Sequence, residues 1–144
     1  MTPEVVYLHL PPGAALPPLP VEAPFAAATI TDVEVAMAWR DAVAAKLVAE
    51  GCLWTTSWGV DCAAWEDAVD DANLVDCDFD VPDEKLVLTT SHPTEPLEEA
   101  LEFIQFCAAH RFATFEQILI VHVSASEARD RLLATAAAAR RLTD

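Results

Sequence analysis

The chain has 144 residues, 53% of them hydrophobic, and its 24 acidic residues against 8 Lys and Arg give a formal net charge of −16. That size fits one domain, 1–144, with one sizeable core. The charge excludes nucleic acid and anionic membrane as partners, since both need clustered Lys and Arg. No apolar run reaches the roughly 18 residues of a spanning helix, and Glu4 with the early prolines is unlike a secretory signal. A cytoplasmic protein with reduced thiols is therefore expected.

Val5 to Leu10 is an apolar run between Pro3 and Pro11, and predicts a buried strand. Residues 11–24 hold Pro11, Pro12, Pro17, Pro18, Pro20 and Pro24. Proline blocks a helix and removes sheet donors, so this stretch is an ordered, extended connection. Ala26 to Ile30 predicts a short second strand. Thr31 or Asp32 then caps a helix that runs to about Glu50 and stops at Gly51. Val33, Met37, Ala44, Leu47 and Val48 recur at helical spacing as its buried stripe.

Cys52 to Ser57 reads as the central strand, and Asp61 stands at the N-cap of the helix after it. Trp65, Ala68, Val69 and Ala72 share one face of that helix; Glu66, Asp67, Asp70 and Asp71 share the other. An acidic loop, Asp76 to Glu84, leads to a strand at Leu86 to Thr90 that ends in Ser91-His92-Pro93. Thr94 caps the next helix, whose first turns carry Glu95, Glu98 and Glu99 near the positive end of the dipole. Leu97, Ala100, Leu101, Ile104, Cys107 and Ala108 make its core stripe. Gln117 to Val123 is almost continuously apolar, as an interior strand is. Ser124-Ala-Ser-Glu127 matches a capping box before a final helix over about 125–141 that bears Arg129, Arg131, Arg140 and Arg141. Strands alternating with helices predict a three-layer α/β/α domain with a largely parallel sheet of four or five strands.

Ligands of parallel sheets bind outside the carboxyl ends of the strands. Two polar clusters fall there: Ser57-Trp58-Gly59 with Asp61 and Cys62, and Thr89-Thr90-Ser91-His92 with Thr94 and Glu95. A helix N-terminus favours the Cys62 thiolate. Cys62 as nucleophile with His92 as base is the sharp catalytic reading, the amides of the helix start serving as anion stabilisers. The plain reading is that Asp61 and Thr94 are ordinary caps, Trp58 and Trp65 pack, and His92 closes a loop.

Gly13, Gly51 and Gly59 are too far apart for a dinucleotide or P-loop fingerprint, and there is no G-x-S-x-G elbow, so no cofactor is expected. Asp76, Asp78 and Asp80 mimic the start of a calcium loop. Val81 replaces its glycine and Val87 its closing Glu, so no metal is expected either. Cys52, Cys62, Cys77 and Cys107 form no C-x-x-C pair. His122, inside an apolar strand, reads as a hydrogen-bonded core or edge residue.

From Asp61 to Glu84 there are ten acids and no Lys or Arg. A solvated face explains them, since exposed charge needs no partner. The functional reading is a docking surface for a basic protein, formed by Glu66, Asp67, Asp70, Asp71, Asp78 and Asp80 and extended by Trp58, Asp61 and Ser91. Phe103, Phe106, Phe112 and Phe115 either widen a core stripe or form a homodimer patch.

At Trp58-Gly59-Val60-Asp61-Cys62 and from Thr89 to Ala100 the chain resembles an uncharacterised family of small bacterial proteins. That family has a W-G-x-D-C turn and a T-T-W-H strand end before an acidic helix; here Ser91 stands in place of its tryptophan. The resemblance covers most of residues 50–123, and implies a common fold and site edge without an activity. The small, acidic character is also similar to that of bacterial immunity proteins. The leading expectation is a non-enzymatic protein-binding module, such as an immunity protein or an inhibitor of a basic effector. The alternative is a small enzyme or ligand binder using Cys62 and His92.

Overall fold

The computed structural model describes residues 2–143. In chain order it contains β1 (Glu4–Leu10), β2 (Phe25–Thr31), α1 (Met37–Ala49), β3 (Cys52–Gly59), α2 (Cys62–Asp76), a 3-10 turn (Asp83–Lys85), β4 (Leu88–Ser91), α3 (Leu97–Phe106), β5 (Gln117–Val123) and α4 (Arg129–Thr143). The side chains of Arg140 and Arg141 lie outside the described residues.

The strands form one five-stranded sheet in the order β1-β5-β2-β3-β4. Every pairing in it is parallel. The centre is β2, all seven of whose residues are buried. Its Ala26, Ala27 and Ala28 leave room for bulkier side chains from both neighbours, Ile118 and Ile120 among them. The β3 strand, expected at the centre, lies between β2 and the short edge strand β4, whereas β5 is interior as its apolar run requires.

Helices cover both faces, giving the α/β/α layering. Trp65 of α2 and Val43 and Leu47 of α1 pack on Phe25, Cys52, Leu119 and Val121. On the other face, Leu101 and Ile104 of α3 and Leu132 and Ala136 of α4 pack on Tyr7, Ala28, Trp54 and Ile120. The proline-rich connection takes the place of a crossover helix between β1 and β2. Leu16, Leu19 and Val21 pack into the α1–α2 side, and the Trp39 indole N–H holds the segment by donating to the Ala14 carbonyl at 2.9 Å.

Several expected boundaries move. The Thr31 side chain caps no helix: its hydroxyl serves the Trp58 and Val60 carbonyls as the strand continues, and α1 begins only at Met37, which is exposed. Asp61 occupies the N-cap position of α2, but in left-handed backbone (φ 56°) with no side-chain cap bond. Thr94 is not a cap either. The chain bends through Pro93–Glu95, Pro96 in extended backbone (φ −69°, ψ 160°) takes the N-cap position, and α3 starts at Leu97. That helix ends at Phe106, so Cys107 lies past the core stripe and is exposed. At α4 the box is not made. Ser124 donates to the Ser126 carbonyl, while the Glu127 carboxylate accepts from the Arg129 N–H. Among the described residues no helix is long and apolar enough to cross a membrane.

Candidate functional site

The connection after β2 leaves toward α1 on one face, and that after β5 leaves toward α4 on the other. Their carboxyl ends are therefore a topological switch point, where a crevice opens beside adjacent strands. Asp32 follows β2 there, and His122 lies on β5. The two join through His122 Nε2 and Asp32 Oδ2 at 2.9 Å. On its other side, His122 Nδ1 meets the Tyr7 hydroxyl at 2.7 Å. That hydroxyl already accepts the Ala128 N–H at 2.9 Å, so its own hydrogen goes to Nδ1. The neutral ring then carries its hydrogen on Nε2 and donates it to Asp32. Burial is the main cause that raises the Tyr7 pKa, which keeps this phenol protonated. His122 is 1% exposed, whereas Asp32 reaches solvent and carries the chain of bonds to the surface.

A second chain of bonds runs along β3 and β4 on the α3 side. The Trp54 indole N–H donates to Thr56 Oγ1 at 3.0 Å, Thr56 meets Thr90 at 3.1 Å, and Thr90 meets His92 Nε2 at 3.2 Å. If each hydroxyl donates onward, no hydroxyl hydrogen is stranded. His92 then accepts at Nε2 and holds its hydrogen on Nδ1, which faces Glu95 Oε1 at 3.7 Å. Phe103 supports the ring from α3, with centroids 4.9 Å apart.

Between these chains lies an open cleft of about 540 Å³, whose lining includes Asp32, Trp58, Gly59, His92 and Glu95. Trp58 is pinned by donating its indole N–H to the Glu95 carbonyl at 2.8 Å. Gly59 turns with φ 103°, and a Cβ there would come within 2.1 Å of the Thr31 carbonyl oxygen. Only glycine lets β3 leave β2 at this point. The two sequence stretches 58–62 and 89–100 thus meet at one cleft.

The Cys62–His92 pair is not assembled. Strand side chains alternate between faces, and His92 turns with Thr90 toward α3. Cys62 is buried on α2, across the sheet. Ser91, one residue earlier than His92, faces α2 and donates to Glu66 at 3.2 Å; Thr89 donates to Asp70 at 2.7 Å. Glu66 and Asp70 therefore clamp α2 to the edge strand, while Asp67, Asp71, Asp78 and Asp80 are exposed without that role.

The acidic surface also holds apolar groups that the sequence reading left out. Phe79 is 73% exposed and Val75 63%; Leu74, next to Val75, and Leu86, after the 3-10 turn, are exposed as well. Asp78 and Phe79 both adopt left-handed backbone, at φ 51° and 65°. Of the four phenylalanines read as a patch, Phe103 and Phe115 pack against the core, whereas Phe106 and Phe112 are exposed. Residue type and helical spacing could have flagged Leu74 and Val75, which fall off the buried stripe of α2. Nothing flags the backbone of Phe79. Among the described residues no group of three His, Cys, Asp or Glu side chains is placed to hold a metal ion.

A family model described as a domain of unknown function (DUF7684) matches residues 5–139. Neither the curated proteins nor the solved structures contain a match to the chain.

Proposed function

We propose that this chain, which belongs to the family of the DUF7684 domain of unknown function, is a non-enzymatic module that binds a basic protein through the end of α2 and the loop after it. The observation that carries the reading is Phe79. A large aromatic side chain is 73% exposed on a residue held at φ 65°. Left-handed backbone costs a non-glycine residue about 1–2 kcal/mol, and such strain collects where a segment is shaped for binding. Val75, Leu74 and Leu86 supply further exposed apolar side chains, and Asp71, Asp78, Asp80, Asp83 and Glu84 are exposed acids of the same stretch, against the single cation Lys85. Aromatic anchors give affinity, and charge of one sign speeds encounter with a partner of the other. The specific form favoured is an immunity protein or inhibitor of a basic effector.

The test is co-purification from the native cell, followed by association kinetics at low and high salt. A basic protein should be retained by the wild type and lost with Phe79→Ala. Asp78→Asn with Asp80→Asn should slow association at low salt, with the difference vanishing at high salt. Retention of no basic protein, or of one insensitive to both variants, sinks the reading.

A further inference from the structure

We propose that the cleft at the carboxyl edge is a binding site for a small organic cation carrying an ammonium or guanidinium group. The site is separate from the surface around Phe79. Helix α2 starts at the carboxyl edge and runs back across the sheet, so Val75 and Phe79 lie toward its amino edge.

Two observations select a cation. First, the cleft lining holds the carboxylates of Asp32 and Glu95 and contains no Lys or Arg. Second, both carboxylates are incompletely bonded. Asp32 uses Oδ2 for His122, leaving Oδ1 for a ligand. Glu95 Oε2 is out of contact with water and has no hydrogen-bond partner. An ionised oxygen in that position lacks a donor that it needs, and a rotation of the carboxylate would offer it to a cation in the cleft.

The site is also held in place before any ligand arrives. Asp32 is oriented through His122 by the Tyr7 hydroxyl. Trp58 is fixed by its bond to the Glu95 carbonyl, and lines the cleft as an aromatic wall, a surface that suits an organic cation. Preorganisation of this kind reduces the ordering cost of binding. The open mouth suits an ammonium or guanidinium on a short alkyl chain, whether free or carried by a lysine or arginine side chain.

Binding is read from the indole N–H signal of Trp58 in a nitrogen–proton correlation spectrum of the intact chain. The probes are n-butylammonium, methylguanidinium and N-acetyl-lysinamide, with n-butanol as the neutral control. A saturable shift with at least one cation and none with butanol is expected. Asp32→Asn and Glu95→Gln should each weaken it about tenfold or more, and Asp78→Asn with Asp80→Asn should leave it unchanged. Saturation by N-acetyl-lysinamide alone assigns the site to a protein side chain; saturation by the two simple cations as well assigns it to free amines. Asp32→Asn disturbs a structural bond, so Glu95→Gln, with a melting curve matching wild type, is decisive. The proposal is overturned if no cation gives a saturable shift, if butanol does as well, if Glu95→Gln binds undiminished, or if the Asp78/Asp80 variant weakens binding equally. These outcomes are independent of whether a basic protein docks at Phe79.

Discussion

Tyr7 and His122 are 115 residues apart in sequence and bonded at 2.7 Å. Their bond closes the outer strand β1 onto β5, and the Ala128 N–H that Tyr7 also receives fixes the start of α4 to the same point. One hydroxyl thereby ties two strands and a helix, and His122 extends the tie to Asp32 after β2.

Tyr7→Phe removes that hydroxyl, strands the Ala128 N–H and leaves His122 Nδ1 with only the longer contact to the Ser124 hydroxyl at 3.4 Å. Each unpaired buried group costs about 1–3 kcal/mol. The variant should lose roughly 2–4 kcal/mol in urea unfolding, with its aromatic packing kept. A loss below about half a kcal/mol would show that water replaces the hydroxyl.

Thr55 presents the opposite case. It is fully buried on β3, and its hydroxyl has no hydrogen-bond partner. Thr55→Val keeps the shape and removes the unpaired group, so it should stabilise by about 1 kcal/mol. A destabilised variant in the same unfolding experiment would mean that the hydroxyl is bonded in solution.

Cys52 governs alkaline behaviour. Burial pushes its thiol from 9.0 up to about 12. The unfolded chain releases this proton near pH 9 while the folded chain keeps it. The stability is therefore complete below the unfolded value and falls as pH rises toward the folded one, by about 1.4 kcal/mol per pH unit. Tyr7, also raised, adds loss in the same direction from pH 10 upward. Cys52→Ala should flatten the decline in urea midpoints between about pH 9 and pH 11. An unchanged slope would place the Cys52 thiol in contact with solvent.

The parallel sheet and both helix layers are legible because their signals are local: apolar runs for strands, and stripes such as Ala100, Leu101 and Ile104 for helices. The helix starts are less so. Thr31 and Thr94 have capping chemistry, yet strand pairing with β3 and β5 claims the first and the Pro93–Pro96 segment excludes the second. The candidate site is harder still. Ser91 and His92 are neighbours in sequence and face opposite sides of the sheet. Which strand lies beside which decides that Asp32 meets His122, and residues 90 positions apart carry no local mark of that contact. The sequence trace is Tyr7 and His9 on β1 and His122 on β5, polar side chains within largely apolar runs. The family match extends over residues 5–139 and so takes in β1, β2, α1 and most of α4, beyond the 50–123 stretch of the two motifs.

Phe79 separates binding from solubility most directly. Its φ of 65° is uncommon for an aromatic residue, and its side chain is 73% exposed, so replacing it removes little core packing. Asparagine tolerates left-handed backbone far better than phenylalanine does. Phe79→Asn should therefore raise stability, by about 0.5–1 kcal/mol, read as a higher urea midpoint at unchanged slope. The loop itself should hold, because the Phe79 N–H still donates to the Leu74 carbonyl at 2.7 Å, a bond that needs no side chain. If Phe79 anchors a basic partner, the same variant should bind at least tenfold more weakly through faster dissociation, since anchors act after encounter. The Asp78 and Asp80 changes should instead slow association. A more stable domain that keeps full affinity would show that Phe79 is strained for no partner, and the proposed docking surface would fall with it.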